Sequence, residues 1–368
     1  MPRKVKIGLI GCGNISKAYF AGCKRYDILD LVACADIDRP RAEEKAREYG
    51  VRACTVDELL ADPEIEIVVN LTIPQAHAKV NERILNAGKH AYVEKPFGLD
   101  LKEAKRVLAL AKRKNLLVGG APDTFLGGGI QTSRQLLDDG LIGKPVAGTA
   151  YCMGRGHESW HPAPEFYYKP GGGPMFDMGP YYITALVNLL GPVKRVSGST
   201  RASFSHRTIT SQPLNGKKVK VEVPTHYAGT MEFTNGAIVT IIMSFDVWPS
   251  QDRSFITLYG SEGTMLVPNP NTFEGPVSIK RAGEKEFTDH PLTHSDQRLR
   301  GTGVADMAYS LLRRRRKYRC NGELVTHVVE VMAAFEKSST TGRHVSIKTP
   351  TVRPNLLVPK LPDNVLDA

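Results

Sequence analysis

The segment GLIGCGNIS, residues 8–16, restricts the fold of this chain more than any other stretch. The apolar run VKIGLIG (5–11) precedes the turn, and NISKAYFAGCKRY after it has helical spacing, with Ile15, Ala18, Tyr19 and Gly22 on one side. A second apolar run, LDLVACAD (29–36), then ends in an acid. Strand, glycine turn, helix, strand and acid, in that order, make a mononucleotide-binding unit. The spacing Gly11-x-Gly13-x-x-Ser16 fits the dinucleotide fingerprint, with serine in place of the last glycine. Gly11 permits the tight turn, Gly13 lets backbone approach a pyrophosphate, and Ser16 is small enough for close helix–strand packing. Asn14 and Ile15 lie inside the fingerprint and join it as cofactor-binding candidates. Asp36 is placed to accept hydrogen bonds from ribose hydroxyls, and its charge would repel a 2'-phosphate, which favours NAD over NADP. Arg39 nearby works against that preference, and a turn-capping role is the alternative for Asp36.

The alternation continues through a helix at 40–49, strand IEIVVNLT (65–72), a helix from about Pro74, strand HAYVEK (90–95), helix DLKEAKRVLALAKRKN (100–115) and strand LLVGGA (116–121). Apolar strands separated by amphipathic helices imply a parallel sheet covered on both faces. Beyond residue 122 the texture changes. A helix at 129–139 leads into PVAGTAYCM, a loop rich in Pro, Gly, His and aromatics, and a helix near 180–191. Strand-like segments follow, including HYAGTMEF, AIVTIIMSF and SFITLYG, with an Asn-Gly hairpin turn at 235–236. The expected fold class is α/β: an N-terminal Rossmann dinucleotide-binding domain (1–122), then an α+β domain on a large, mostly antiparallel open sheet (123–348), then an extended arm (349–368). A chain of 368 residues exceeds what one core usually organises, in agreement with two domains.

Composition excludes several classes. The net charge of +11 and the run RRRRK (313–317) raise nucleic acid as a partner, yet no stacking aromatics interleave the run, and a solvated helix end complementing the C-terminal dipole explains it more simply. The six cysteines form no CxxC pair and have no metal-type spacing with histidine, so neither a metal site nor a disulfide framework is expected. No apolar run approaches the ~20 residues of a membrane span, and the N-terminus reads as a strand rather than a signal peptide, so no membrane partner and a cytoplasmic location are expected.

Three further stretches carry chemistry: TIPQAH (72–77), EKP (94–96) and GGGPMFDMGPYY (171–182). Lys95 ends a parallel strand, where open α/β sheets bind ligands, and is a candidate proton-transfer group; partial burial near a positive nicotinamide would lower its pKa toward a useful range. In this order after the fingerprint, the motifs resemble the Gfo/Idh/MocA family of nicotinamide-dependent sugar and polyol oxidoreductases, over about residues 4–345. The resemblance implies NAD, a small carbohydrate substrate with a secondary hydroxyl or ketone, and a homodimer or homotetramer. It also implies that Thr72, Pro74 and His77 pass beside the cofactor, and that Glu94 and Lys95 fix its ribose, with Lys95 reaching the reacting oxygen. An ordinary helix-face histidine is the alternative for His77. Asp123, in APDTF after the last Rossmann strand, is a candidate for substrate contact.

Relatives carry Asp-x-Gly-x-His where this chain has Asp177, Gly179 and Tyr181. With histidine replaced by tyrosine, either Tyr181 exchanges the proton beside the Lys95 cation, or Tyr181 only binds substrate while Lys95 transfers the proton; Asp177 completes the catalytic candidates. The loop GRGHESWHPAPEFYYKPGGG (154–173) supplies Arg155, His157, Trp160, His161 and Tyr168 as candidate sugar contacts, planar surfaces and fixed polar groups being what a sugar site requires. The main expectation is an NAD-dependent oxidoreductase acting on a sugar, glycoside, sugar acid or cyclitol. The alternatives are an NAD-dependent glycoside hydrolase working by transient C3 oxidation, elimination, hydration and re-reduction, possibly on an anionic glycoside such as a sulfoquinovoside, and a non-catalytic NAD-binding regulator.

Overall fold

The computed structural model describes residues 3–248, 255–313 and 316–367. Its first sheet is built from β1 (Val5–Ile10), β2 (Leu29–Ala35), β3 (Arg52–Ala53), β4 (Ile67–Asn70), β5 (His90–Val93) and β6 (Val118–Gly120). All neighbours are parallel in the order β3-β2-β1-β4-β5-β6. The chain therefore runs outward from β1 in one direction, returns, and runs outward from β4 in the other. That reversal opens a crevice above the C-terminal ends of the strands. Helices α1 (Ser16–Cys23), α2 (Arg39–Tyr49), α3 (Val56–Ala61), α4 (His77–Asn86) and α5 (Leu101–Lys114) make the connections. Local chemistry sets their ends. Asp38 caps α2, with Gly50 at φ 64 closing it, and Thr55 and Glu58 form a capping box on α3. The short β3–α3 unit was not foreseen from hydrophobic periodicity, because two strand residues and six helical ones are too few to show a period.

The second sheet has nine strands: β7 (Pro145–Met153), β8 (Val193–Arg201), β11 (His226–Phe233), β12 (Ile238–Ser244), β13 (Ile256–Gly260), β14 (Gly263–Val267), β15 (Val277–Arg281), β16 (Thr288–His290) and β17 (Val345–Ser346). A separate ribbon pairs β9 (His206–Thr208) with β10 (Lys218–Lys220). The order of the large sheet is β16-β15-β14-β13-β7-β12-β11-β8-β17, antiparallel throughout except for the parallel β7–β12 pair. The fold is thus α/β, a Rossmann sheet followed by a mixed, mostly antiparallel one. Ser254, at the head of SFITLYG, lies outside the described residues.

Helices α6 (Gly128–Asp138), α7 (Gly173–Asp177), α8 (Gly179–Leu190), α9 (Thr302–Leu312) and α10 (Gly322–Thr341) complete the chain. Every residue of α8 is buried, as expected of a helix apolar on all sides. Helix α10 packs on β8 and α8 and also on α5 and β6. Gly198 and Gly229 allow this approach, since a Cβ on either would meet the Phe335 ring. Just before α10, the Cys320 carbonyl accepts from Gly120 N at 3.1 Å, so the C-terminal half bonds directly to the edge of the Rossmann sheet.

In the basic run Arg313 caps the end of α9 and is exposed, as is Lys317, whereas Arg316 is held inward. Arg316 turns back onto Asp306 (2.5 Å), which Arg319 also pairs (2.6 Å), because Asp306 is fully buried on α9 and an unpaired carboxylate there would be costly. Arg314 and Arg315 lie outside the described residues. After β17 no described residue lies in a regular element; Arg353 pairs with Asp138 at 2.7 Å, and Leu357 and Leu366 are buried.

Candidate active site

Four strand ends of the first sheet feed the crevice. After β1, Gly11 adopts φ +100, and a Cβ on it would stand 2.6 Å from the Leu71 carbonyl group, so a side chain is excluded on two counts. A Cβ on Gly13 would meet no atom within 4 Å, which leaves the backbone bare toward the crevice. Asn14 is exposed and Ile15, the N-cap of α1, makes no side-chain cap bond; Ser16 N and Ala18 N donate to the Gly13 and Ile15 carbonyls, which leaves Lys17 N of the first turn to face an anion. Ser16 is buried and donates to the Gly13 carbonyl at 2.7 Å. The Asp36 carboxylate accepts from Cys12 N (2.7 Å) and Asp38 N (2.9 Å), so it ties the glycine turn to the end of β2. These features fit a dinucleotide: a bare turn, an open helix start and an acid at the second strand end.

After β4, Thr72 is anchored to Asn70 Oδ1 through N and Oγ1, and Pro74 starts a short turn. His77 is buried behind this loop, not in the crevice wall. Its ring nitrogens face the carbonyls of Pro96 (2.8 Å) and Thr72 (2.9 Å), and burial lowers its pKa despite those carbonyls, so the neutral ring donates to one of them. His77 therefore joins the loops after β4 and β5.

Lys95 follows β5. Its Nζ donates to the Asp177 carbonyl (2.9 Å) and to Asp177 Oδ1 (2.6 Å), and stands 5.4 Å from the centre of the Tyr181 ring. The other carboxylate oxygen of Asp177 faces His157 Nε2 at 3.1 Å. Asp177 ends α7 and Tyr181 lies in the first turn of α8, so the break at Met178 between the two helices aims both side chains at Lys95. Burial depresses the lysine most, but Asp177, through its charge and its hydrogen bond, together with Tyr181 and Glu94 outweighs it, and the Lys95 pKa is raised, opposite to the expectation from burial alone. Burial pushes the Asp177 carboxyl up, and Lys95 and His157 outweigh it, holding Asp177 below the usual carboxylate range. For Tyr181 burial wins over Lys95 and Arg300 and the phenol is raised, so it stays a hydrogen-bond donor at neutral pH. Glu94 accepts from the Tyr19 hydroxyl (2.8 Å) and from Lys95 N (3.0 Å).

The 154–173 loop forms an aromatic wall next to Asp177. His157 and Tyr167 have ring centres 4.0 Å apart, Phe166 lies 4.0 Å beyond Tyr167, and Trp160, 61% exposed, meets His157 edge-on at 5.2 Å. Burial pushes the Tyr167 phenol up to about 12. His161 accepts from Ala163 N at 3.0 Å and packs edge-on against Trp160 and Tyr167. Arg155 donates to the Asp246 carbonyl (2.9 Å) and covers Phe204 and Trp248. Arg207, from β9, pins the wall from behind through Glu158 and Asp246.

Two sequence candidates point elsewhere. Asp123 is fully buried, and its Oδ2 accepts from Gly301 N (2.8 Å) and Gly303 N (3.0 Å), so it caps the start of α9 instead of meeting substrate. Tyr168 is fully buried in a satellite core with Ile209, Val219 and Phe245, the apolar neighbours its ring requires, and turns away from Lys95. Arg300, which no motif marked, lies 5.4 Å from the centre of the Tyr181 ring. Among the described residues no group of three or more His, Cys, Asp or Glu could hold a metal ion, and no helix is long and apolar enough to cross a membrane.

Residues 5–120 match the profile of the oxidoreductase family's NAD-binding Rossmann fold, and residues 130–266 match the GFO/IDH/MocA C-terminal domain. The chain is 32% identical over 210 residues to an uncharacterised oxidoreductase of Schizosaccharomyces pombe, a match spanning 53% of this chain and about half, 56%, of that protein. It is 28% identical over 292 residues to an inositol 2-dehydrogenase of Rhizobium meliloti, covering 78% of this chain and 82% of the other. The fold superposes on a levoglucosan dehydrogenase solved with NADH and L-sorbose at a TM-score of 0.78 with 18% identity, over 94% of this chain and 99% of that one.

Proposed function

Because the chain belongs to the Gfo/Idh/MocA oxidoreductase family, with its NAD-binding Rossmann fold, we propose that it exchanges hydride between NAD and a secondary hydroxyl or ketone of a sugar or cyclitol. The observation that carries this reading is the convergence of Lys95, Asp177, His157 and Tyr181 at the end of β5, beside the glycine turn. The names of the inositol and levoglucosan enzymes support the substrate class. The aromatic wall supplies the stacking surface such a substrate needs.

Bound nicotinamide would supply or accept the hydride; the chain's own residues handle the proton. Two of the three Nζ hydrogens of Lys95 are held by Asp177, leaving one for the substrate oxygen. In the reductive direction Lys95 donates that proton as hydride reaches the carbonyl carbon, and Tyr181 donates a hydrogen bond to the same oxygen. The proton on Lys95 is then replaced along Asp177 and His157, whose side chain is partly exposed. In the oxidative direction the proton travels the other way, and Lys95 must first be neutral. The outer face of the large sheet carries the cross-strand rows Ile238–Ala147–Tyr259 and Thr240–Thr149–Thr257, and we read it as the surface of a homo-oligomer.

A panel of polyols, cyclitols, sugar acids and glycosides, followed at 340 nm and by mass spectrometry in the same tubes, tests the reading. One NADH per ketone formed is the expected result; free sugar released from a glycoside without net NADH would replace it with the hydrolase chemistry. Cofactor choice is tested by Asp36→Ala, for which NAD binding is expected to weaken about 10–100-fold, the worth of hydrogen bonds to a charged group. Unchanged NAD affinity by calorimetry would assign Asp36 to the turn alone.

A further inference from the structure

Arg300 is a half-buried cation in need of an explanation. Among the described residues it forms no salt bridge; only Nη2 has a hydrogen-bond acceptor, Asn271 Oδ1 at 3.0 Å, and Nη1 is closed off from solvent with none. Burying a guanidinium this way is costly unless something else receives its charge. Its neighbours are the Tyr181 ring, 5.4 Å from guanidinium carbon to ring centre, the same distance at which Lys95 Nζ stands from that ring, and the carboxylates of Glu94 and Asp123, whose negative charges favour the guanidinium without pairing it. At that distance the ring lies within cation–π reach.

The surrounding chain is built to hold Arg300 there. Gly22 has no Cβ where one would collide with the Arg300 carbonyl, so α1 presses directly on this backbone. Asp123 fixes the next residues through Gly301 N and Gly303 N, and Gly301 turns the chain with φ +106. Two remote segments, around 22 and 123, thereby fix the backbone at and after Arg300, and Asn271 holds its side chain.

We propose that Arg300 is a positioning residue for Tyr181, fixing its ring against the Lys95–Asp177 pair so that the hydroxyl meets the substrate oxygen, an inference that rests on the oxidoreductase reading of the site. The charged and titratable groups facing Tyr181 are Lys95 and Arg300, which favour the phenolate, and Glu94 and Asp177, which oppose it; burial exceeds them all, and the phenol remains protonated.

The test is a double-mutant cycle in the full chain, using the best substrate of the panel and calorimetric NAD binding. Arg300→Met is expected to lower kcat about 10–100-fold with NAD affinity within about twofold, Arg300→Lys to recover most of the loss, and Arg300→Met to cost little more once Tyr181→Leu is present. An equal loss in the Tyr181→Leu background, or no loss at all, would overturn the proposal. If the wild-type chain turns over nothing in the panel, the oxidoreductase reading fails and the placement of Arg300 is judged by melting temperature. Non-additive shifts of Arg300→Met and Tyr181→Leu support it, and additive shifts refute it.

Discussion

Replacing Lys95 by Met is expected to lower kcat by about 10²–10⁴-fold while leaving NAD affinity near that of the wild type, because general acid–base catalysis supplies an acceleration of that size. The isosteric methionine keeps the packing of the stem and removes the proton and the charge together. A second readout separates this from a structural effect. The Asp177 charge raises the Lys95 pKa, so the amine is protonated throughout the working range. Reduction uses the protonated form and oxidation the neutral one. In the wild type, kcat/KM for oxidation should therefore climb tenfold per pH unit without a plateau below about pH 10, and the slope should disappear in Lys95→Met. Steady-state rates between pH 6 and 10, with NAD binding measured alongside, decide the matter. A variant that keeps the wild-type slope would remove Lys95 from proton transfer.

The Rossmann half was readable because its signals are local. Gly11, Gly13 and Ser16 sit within six positions, Asp36 closes the very next strand, and buried parallel strands appear as unbroken apolar runs. Lys95 and Asp177 were readable as separate motifs, but their 2.6 Å contact spans 82 residues and no periodicity records it. The same holds for His157. Its loop lies 20 residues upstream of Asp177, and only the fold brings its Nε2 to that carboxylate. Asp123 and Tyr168 were misread for a shared reason: a polar or aromatic residue beside a strand end or in a binding loop points equally well inward, and burial decides which. Arg300 left no trace because its partners Gly22, Asp123, Asn271 and Tyr181 are scattered over the chain, and an arginine before a helix reads as surface.

Asp177→Asn should give the other large effect, and its pH dependence distinguishes charge from shape. The amide retains an oxygen for Lys95 and most of the volume, so what it removes is the negative charge between Lys95 and His157. Losing one partner of a buried ion pair costs about 3–5 kcal/mol when the other charge is stranded. The folded Asp177 pKa is depressed, so its contribution is present above the unfolded value near 3.9 and is lost as pH falls through the folded value. The folded Lys95 pKa is raised, so its contribution is full below the unfolded value of about 10.4 and is lost as pH rises through the folded value. The stability difference between wild type and Asp177→Asn should therefore be flat across roughly pH 5–9 and shrink at both extremes, as followed by denaturant unfolding. With the carboxylate gone, burial becomes the leading influence on Lys95 and its pKa falls. The oxidative pH profile should then bend to a plateau within the accessible range, at a maximum about 10²-fold or more below the wild type because the relay to His157 is broken. A reduced rate with the wild-type pH slope intact would mean that Asp177 only holds Lys95 in place and neither sets its charge nor passes its proton.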